Sequence, residues 1–473
     1  MVFSSLEFLF RFLPVFLIAY IFVKKEYRLY VILAGSLVFY AWGEPLYIFL
    51  MLFSIIVNHY IAKEIYERRR SVRSKKEKKQ RTKWLLVLAV VIDFGMLFIF
   101  KYLGFFCSII NSIAGKDVLP ILSPTLPLGI SFYTFQIMSY VIDVYRGRYK
   151  VGKSMINFAT YVCMFPQLIA GPIVNYSEVM KSMKDRRLKP KAVESGVTIF
   201  VLGLMYKVLL ANSIASLWND VQTIGPYGIN TITAWMGSWG YSFQLYFDFW
   251  GYSLMAIGLG KILGFKFPQN FKEPYSATSA TEFWRRWHIT LGRWFREYLY
   301  IPLGGNRKGP VRLVINTFVV WFLTGLWHGA NWNFIIWGLF FFVVLMLEKF
   351  IYLEKLNSNK WAGHVYMLFI IPLSWTIFNI TDLKTLGLYL RKMFFIPLPD
   401  APKLDTMNKF VTLFGKYWWM LLICAFFATP YPMMLIKKYR DTLVFKGILL
   451  VVFWLAVYRM AQGMDNPFLY FRF

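Results

Sequence analysis

Apolar residues in this chain come in long runs separated by short polar or basic stretches, and strict alternation is rare. About 20 consecutive apolar residues cross a bilayer as a helix. Runs of this kind lie near 5–23, 29–43, 46–62, 84–107, 126–145, 195–218, 231–262, 311–328, 332–352, 362–380, 414–436 and 443–461. They predict an all-α polytopic membrane protein with roughly 11–12 spanning helices, since a helix satisfies every backbone group within its own segment. The run around 155–174 contains Pro166, Gly171 and Pro172 and leads into basic residues, so a partly re-entrant path is expected there. Between Pro268 and Pro310 aromatic and charged residues alternate, the makeup of helices that lie at or dip into a membrane interface.

Composition agrees: with 58% hydrophobic and 16% charged residues, the chain is too apolar for a soluble protein. A formal charge of +29 would suggest nucleic acid in a soluble chain, but here it is gathered in short blocks beside apolar runs. Arg68 to Lys83 and Lys181 to Lys191 are the largest, joined by Lys24, Lys25, Arg28 and the Lys437 to Arg440 turn. Such blocks mark cytoplasmic loops, which puts the N-terminus outside, and anionic lipid headgroups suffice as their partners. No nucleic-acid recognition module accompanies the charge. The first apolar run is expected to stay as a membrane helix: Arg11 and Pro14 interrupt it, and it lacks a charged leader and a small-x-small cleavage site. The longest polar connections are 67–83 and 398–411, no repeat of fixed period is visible, and residues 1–473 read as one membrane domain with a motif core at about 120–350. Cys107, Cys163 and Cys424 are far apart among apolar residues and read as buried thiols.

Four histidines occur, and two of them, His288 and His328, sit in EFWRRWHITLGRWFREYLYIPLGGNR (Glu282 to Arg307) and GLWHGANW (Gly325 to Trp332). An ionisable side chain in spanning-type surroundings costs a few kcal/mol and by default marks a functional position. Imidazole is also the group best matched to proton transfer near neutral pH. His328 follows the uncharged run VINTFVVWFLTGLW, and Gly325, Gly329 and Asn331 are expected to break or loosen the helix there. Irregular backbone at membrane depth is tolerated where it lines a cavity or packs on protein. The plain alternative is a core histidine satisfied by a backbone carbonyl. His59 and His364 fall near the ends of predicted spans, where a wet histidine costs little.

Arg285, Arg286, Arg293 and Arg296 lie among Phe283, Trp284, Trp287, Trp294 and Phe295. They are read either as the wet face of an interfacial helix or as a basic mouth that receives an anionic donor through guanidinium–phosphate pairs. No metal-ligand cluster, Gly-rich phosphate loop or Ser-His-Asp spacing offers a competing chemistry.

RRWHIT and LWHGANW, taken with FPQLIAGPI (Phe165 to Ile173), QLYFDFWGYS (Gln244 to Ser253) and REYLYIPLGGNR (Arg296 to Arg307), resemble the membrane-bound O-acyltransferase family. The likeness runs from the opening MVFSSLEFLF to the closing NPFLYFRF and is similar at both ends to the branch that O-acetylates bacterial polysaccharides such as alginate. The resemblance implies helices in a ring around a central tunnel in the bacterial cytoplasmic membrane, with His328 catalytic and His288 the second motif residue near the tunnel. It implies no permanently bound cofactor and a cytoplasmic thioester donor, either acetyl-CoA or an acyl carrier protein. In the polysaccharide branch the acyl group passes to an extracytoplasmic partner, an SGNH-type acyltransferase or a small membrane protein, that completes transfer to the polymer. One departure stands out. Where the alginate-type pattern continues SGYSDMAIGL, this chain reads WGYSLMAIGL, with Trp250 and Leu254. The D-alanyl transferases of teichoic acid modification tend to carry an apolar residue there, so acetyl and D-alanyl both remain open.

The chemistry this asks of the residues is modest. A thioester is already activated, so the enzyme has to deprotonate an alcohol, align it and stabilise a tetrahedral oxyanion. One neutral imidazole can be the base. Trp327, Asn331 and Trp332 offer nearby donors for orientation or oxyanion contact, while Asp248 either orients a histidine or pairs with an arginine. The competing class is a transporter or channel with the histidines as proton relays, against which the lack of visible inverted repeats weighs. The outer loops are too short to build a groove for a polymer, which separately calls for a second protein on that side.

Overall fold

The computed structural model describes residues 2–71, 74–122, 124–151, 154–169, 171–184, 188–399, 405–463 and 469, and every regular element among them is helical. Two compact units emerge. The first comprises Met1–Phe200, Ser253–Pro268 and Arg296–Tyr298; the second comprises Val201–Tyr252, Gln269–Phe295 and Leu299–Phe473.

The first unit opens with a π-helical turn, Phe8–Phe12, that runs into α1 (Leu13–Phe22). It continues through α2 (Arg28–Gly43), α3 (Tyr47–Arg70), α4 (Lys75–Lys101), α5 (Leu103–Ala114), α6 (Ile130–Arg146), α7 (Met155–Cys163), α8 (Phe165–Leu168), α9 (Tyr176–Lys184) and most of α10 (Pro190–Leu204). Phe165 is the hub of its core, with its ring centroid 5.1 Å from Phe16, 5.4 Å from Phe12 and 5.4 Å from Phe39. The FPQLIAGPI stretch is broken as its prolines and glycine require. α7 ends at Cys163, α8 is four residues long, and a β-carbon on Gly171 would meet the Gln167 Cα at 2.4 Å. Side chains satisfy the freed backbone: Phe165 N–H donates to Ser36 Oγ at 3.1 Å, and Gln167 Nε2 donates to the Tyr161 carbonyl at 2.5 Å.

The second unit takes up α11 (Asn212–Gly228), most of α12 (Thr231–Ile262), and two seven-residue helices, α13 (Ala280–Arg286) and α14 (Ile289–Phe295). After these come α15 (Pro310–His328), α16 (Trp332–Leu347), α17 (Leu353–Ser358), α18 (Lys360–Asn379), α19 (Leu383–Met393), α20 (Thr406–Phe427), α21 (Tyr431–Tyr439) and α22 (Leu443–Ala461). α15 and α16 pack backbone to backbone. A β-carbon on Gly325 would meet the Phe334 carbonyl oxygen at 2.4 Å, and one on Gly338 would meet the Trp321 carbonyl oxygen at 2.4 Å. Small residues permit this approach between apolar helices, where dispersion supplies most of the attraction. Gly325 therefore does not break α15, contrary to the sequence expectation: it sits inside the helix as a packing residue. The break comes at Gly329, and Asn331 starts the next helix, its side-chain oxygen accepting the Trp332 N–H at 2.7 Å.

Eight helices among the described residues are long and apolar enough to cross a membrane: Tyr47–Arg70, Lys76–Lys101, Pro190–Gly228, Pro310–His328, Trp332–Ser358, Lys360–Asn379, Thr406–Phe427 and Leu443–Ala461. Phe8–Phe22 and Leu103–Ala114 are shorter apolar helices. The protein is an all-α polytopic membrane protein. The apolar runs near 29–43 and 126–145 form helices of 16 and 17 residues, and the second is buried along nearly its whole length. α12 has 32 residues but is too rich in Tyr, Trp, Ser and Gly to match the hydropathy of the eight. The basic block expected in a loop over 67–83 is mostly helical: Arg68, Arg69 and Arg70 close α3, Lys75 to Lys83 open α4, and 72–73 lie outside the described residues. Lys and Arg are good helix formers, so both ends extend past the apolar run, and at the end of α3 the helix dipole adds to this. Within 398–411, residues 400–404 lie outside the described residues and α20 begins at Thr406.

Candidate active site

The local sequence places His288 at a corner. Ser279 caps α13 by accepting the Glu282 N–H at 3.1 Å, Trp287 is extended, and His288 then turns the chain into α14 with φ 44°. The corner is held by Asn270. Its carbonyl accepts the Ile289 N–H at 2.9 Å, and its Oδ1 lies 3.2 Å from Thr290 N, 2.9 Å from Thr290 Oγ1 and 3.1 Å from His288 Nδ1. Trp287 packs into an aromatic wall with Phe283 (5.5 Å between centroids), Trp375 (4.9 Å) and Phe271 (5.0 Å). His288 is 2% exposed and lies outside the spanning helices; burial pushes its imidazole down to about 3, so the ring is neutral at physiological pH.

His328 is the last residue of α15 and is 6% exposed. Its ring meets Trp327, Trp337 and Phe378 edge-on at centroid distances of 4.9, 4.9 and 5.1 Å. Phe378 is tied in place by Asn333, whose Nδ2 donates to the Phe378 carbonyl at 2.6 Å. The two histidines share one neighbour: the Trp327 ring is 6.2 Å from His288 and 4.9 Å from His328. Sequence positions forty residues apart are thus brought to the same buried indole. Among the described residues no group of His, Cys, Asp or Glu has the spacing of a metal site.

The other residues singled out in the sequence divide. Trp327 is in the site, whereas Trp332 is 47% exposed and Asn331 is engaged in capping α16. Among the described residues Asp248 neither orients a histidine nor pairs with an arginine. It forms a buried ion pair with Lys207 at 2.5 Å, and its second oxygen accepts the Leu469 N–H at 2.9 Å. The helical face explains this: Gly251, three residues on, lets α12 approach the Lys207 turn so closely that a β-carbon would meet Lys207 N at 2.8 Å. Phe249, on the adjacent face, meets His288 edge-on at 4.7 Å. Arg286 has a structural engagement, with Glu282 at 2.5 Å and Ser276 Oγ at 2.8 Å, while Arg285 and Arg296 are exposed and Arg293 is half-buried.

A family model described as the membrane-bound O-acyltransferase family matches residues 148–354, the stretch that holds both histidines. A probable alginate O-acetylase of Pseudomonas putida is 36% identical over 501 aligned positions, covering all of both chains. The chain belongs to the membrane-bound O-acyltransferase family. Like other members it is an acyltransferase, and it is a multi-pass membrane enzyme. A peptidoglycan O-acetyltransferase of Helicobacter pylori is 37% identical over 74% of this chain and 70% of its own length. A teichoic acid D-alanyltransferase of Bacillus subtilis is 28% identical over 50% of this chain and 63% of its own. The similarity to the acetylating relatives is thus higher and longer. Trp250, the departure from the alginate-type pattern, is a buried residue that stacks on Tyr206 at 4.3 Å and Tyr246 at 5.1 Å.

Two residues escaped the sequence reading. Trp337 touches His328, and its buried indole N–H has no hydrogen-bond partner among the described residues. Nothing separates it from core tryptophans in one sequence. Glu348 had a readable signal, an acid at the end of the apolar run WNFIIWGLFFFVVLML. Fully buried, it accepts the N–H groups of Ala280 (2.5 Å) and Thr281 (2.8 Å) and the Thr281 hydroxyl (2.6 Å), pinning the start of the α13 segment that leads to His288. Glu348→Ala should destabilise the protein by about 1–3 kcal/mol through three orphaned donors. A lowered thermal midpoint in detergent, with Glu348→Gln intermediate, is the expected result.

Proposed function

We propose that this acyltransferase takes an acetyl group from a cytoplasmic thioester and supplies it for O-acetylation of a polysaccharide outside the bacterial cytoplasmic membrane, with His328 as the base. The observation that carries the reading is the buried His328 imidazole at the end of an apolar helix, ringed by aromatic edges, in a chain similar over its whole length to an alginate O-acetylase. In this reading His328 removes the proton of the attacking hydroxyl and later returns it to the thiol leaving group. The enclosing rings exclude water, which would otherwise hydrolyse the thioester. Trp337 supplies an indole N–H to the oxyanion, since it is a buried donor beside His328 with no hydrogen-bond partner among the described residues. His288 supports substrate and is the less critical of the pair; His288→Ala should lower turnover by a smaller factor than His328→Ala.

The donor is acetyl-CoA or an acyl carrier protein, and both bring phosphate. Arg285, exposed on α13, is the guanidinium group that serves it, Arg286 being engaged with Glu282 and Ser276. An extracytoplasmic acyltransferase or small membrane protein, offering the concave site that a polymer chain needs, completes the transfer. Reconstituting this chain alone with donor and polymer should give donor turnover with little stereotyped polymer acetylation, and adding the partner should restore it. Full acetylation with no second protein would remove the partner from the account.

The test in cells is chemical. Deleting the gene should strip O-acetyl groups from one surface polysaccharide while leaving its backbone intact, as read by ester release and mass spectrometry. Recovery of ester-linked D-alanine as the group lost would move the protein to the D-alanyl branch, to which the B. subtilis relative belongs by name.

A further inference from the structure

His288 keeps a left-handed backbone, which a residue with a β-carbon holds only when its surroundings over-determine it. Asn270 is what over-determines it. Its side chain is fully buried and its Oδ1 faces three groups at once, the Thr290 N–H, the Thr290 hydroxyl and His288 Nδ1. A backbone N–H can only donate, so the amide atom it faces is the oxygen, not the nitrogen. An amide oxygen can only accept, so the imidazole nitrogen facing that oxygen carries a hydrogen. With the ring neutral, the lone pair is then at Nε2.

We infer that Asn270 is a positioning residue that locks His288 in the Nδ1–H tautomer, so that His288 presents Nε2 as an acceptor to an O–H or N–H group of the bound substrate. In this state His288 cannot donate to an oxyanion, which leaves that task to indole N–H groups such as that of Trp337. The Nδ1 proton follows from the hydrogen bonds and the bare Nε2 from the neutrality of the buried ring, while the catalytic meaning rests on the proposed acyl transfer. Neutrality is secured by burial, the sole cause of the depressed imidazole basicity. The elements packed on the ring bring Phe249 and Trp327, Asp248 beside Phe249 is turned to Lys207, and on the ring's own segment Arg286 is turned to Glu282.

The chain's four histidines make the test readable. The full-length protein, purified with ¹⁵N-histidine and compared with His288→Gln to assign the signal, should show His288 with a protonated Nδ1 and a bare Nε2. Asn270→Leu keeps the volume without the acceptor and should lose that pattern, with turnover falling roughly tenfold or more, the scale seen for groups that orient a working histidine. Asn270→Asp restores the acceptor and should restore turnover at alkaline pH. Its added charge favours imidazolium at His288, so on the acid side its activity should fall off at a higher pH than that of wild type. An Nε2–H signal in wild type, or an Asn270→Asp pH profile superposed on wild type, would overturn the inference. If Asn270→Leu does not fold, those two measurements still decide. A wild type that consumes no thioester would defeat the proposed reaction, with the ¹⁵N result still ruling on the tautomer.

Discussion

His328→Ala should leave the protein folded in the membrane while cutting acyl transfer by on the order of 10²–10⁴-fold, the usual share of a general base. The fold should survive because the ring contacts Trp327, Trp337 and Phe378 through their edges and faces, and those rings are held independently. Trp337 stacks on Trp375 at 5.9 Å, and Phe378 is bound through its carbonyl to Asn333. The helix end also survives, since α15 stops where Gly329 turns extended and a β-carbon there would strike the Phe334 ring at 2.1 Å. Turnover measured at matched expression checks this, with Gly329→Ala as a variant expected to harm folding instead. Wild-type turnover by folded His328→Ala would remove the base from the account.

The largest effect on stability is expected at Lys207. The Lys207–Asp248 pair is 2% exposed on each side, and its lysine also reaches Asn212 Oδ1 at 3.0 Å. Removing one partner of a buried pair strands the other charge, which typically costs 3–5 kcal/mol, whereas replacing both with apolar residues of similar size is often neutral. Lys207→Met should therefore sharply lower the thermal midpoint and the yield of folded protein, and Lys207→Met with Asp248→Leu should recover most of both. The double variant also loses the acceptor for the Leu469 N–H, so recovery should stop short of wild type. Equal stability of the single and double variants would show that the pair carries no coupling.

The class of this fold was legible because the apolar runs are long, and length is the property that a bilayer selects. The histidines were legible for a related reason: an ionisable group amid VINTFVVWFLTGLW stands out against its surroundings. Their meeting at Trp327 was not legible, since α14 and the length of α15 lie between them and no local pattern encodes the fold-back. Asp248 illustrates a harder limit. Its partner, Lys207, is itself buried inside an apolar run, and which helix face meets which depends on the close approach at Gly251. Gly325 is ambiguous for the same reason, because a glycine that opens a helix and one that lets two helices touch look alike in sequence. The basic block at 68–83 has the charge of a loop, yet Arg and Lys also propagate helix and extend α3 and α4 well beyond their apolar cores.

Thioester consumption by the purified full-length protein tests the central claim most directly. Wild type, offered acetyl-CoA and an acetylated carrier protein in turn with a hydroxyl acceptor, should release free thiol and form an acetyl ester with one of them. His328→Ala at equal folded concentration should do so at least a hundredfold more slowly, by the scale of a lost general base. Equal thiol release by wild type and His328→Ala, or no release by wild type with either donor, would contradict the account.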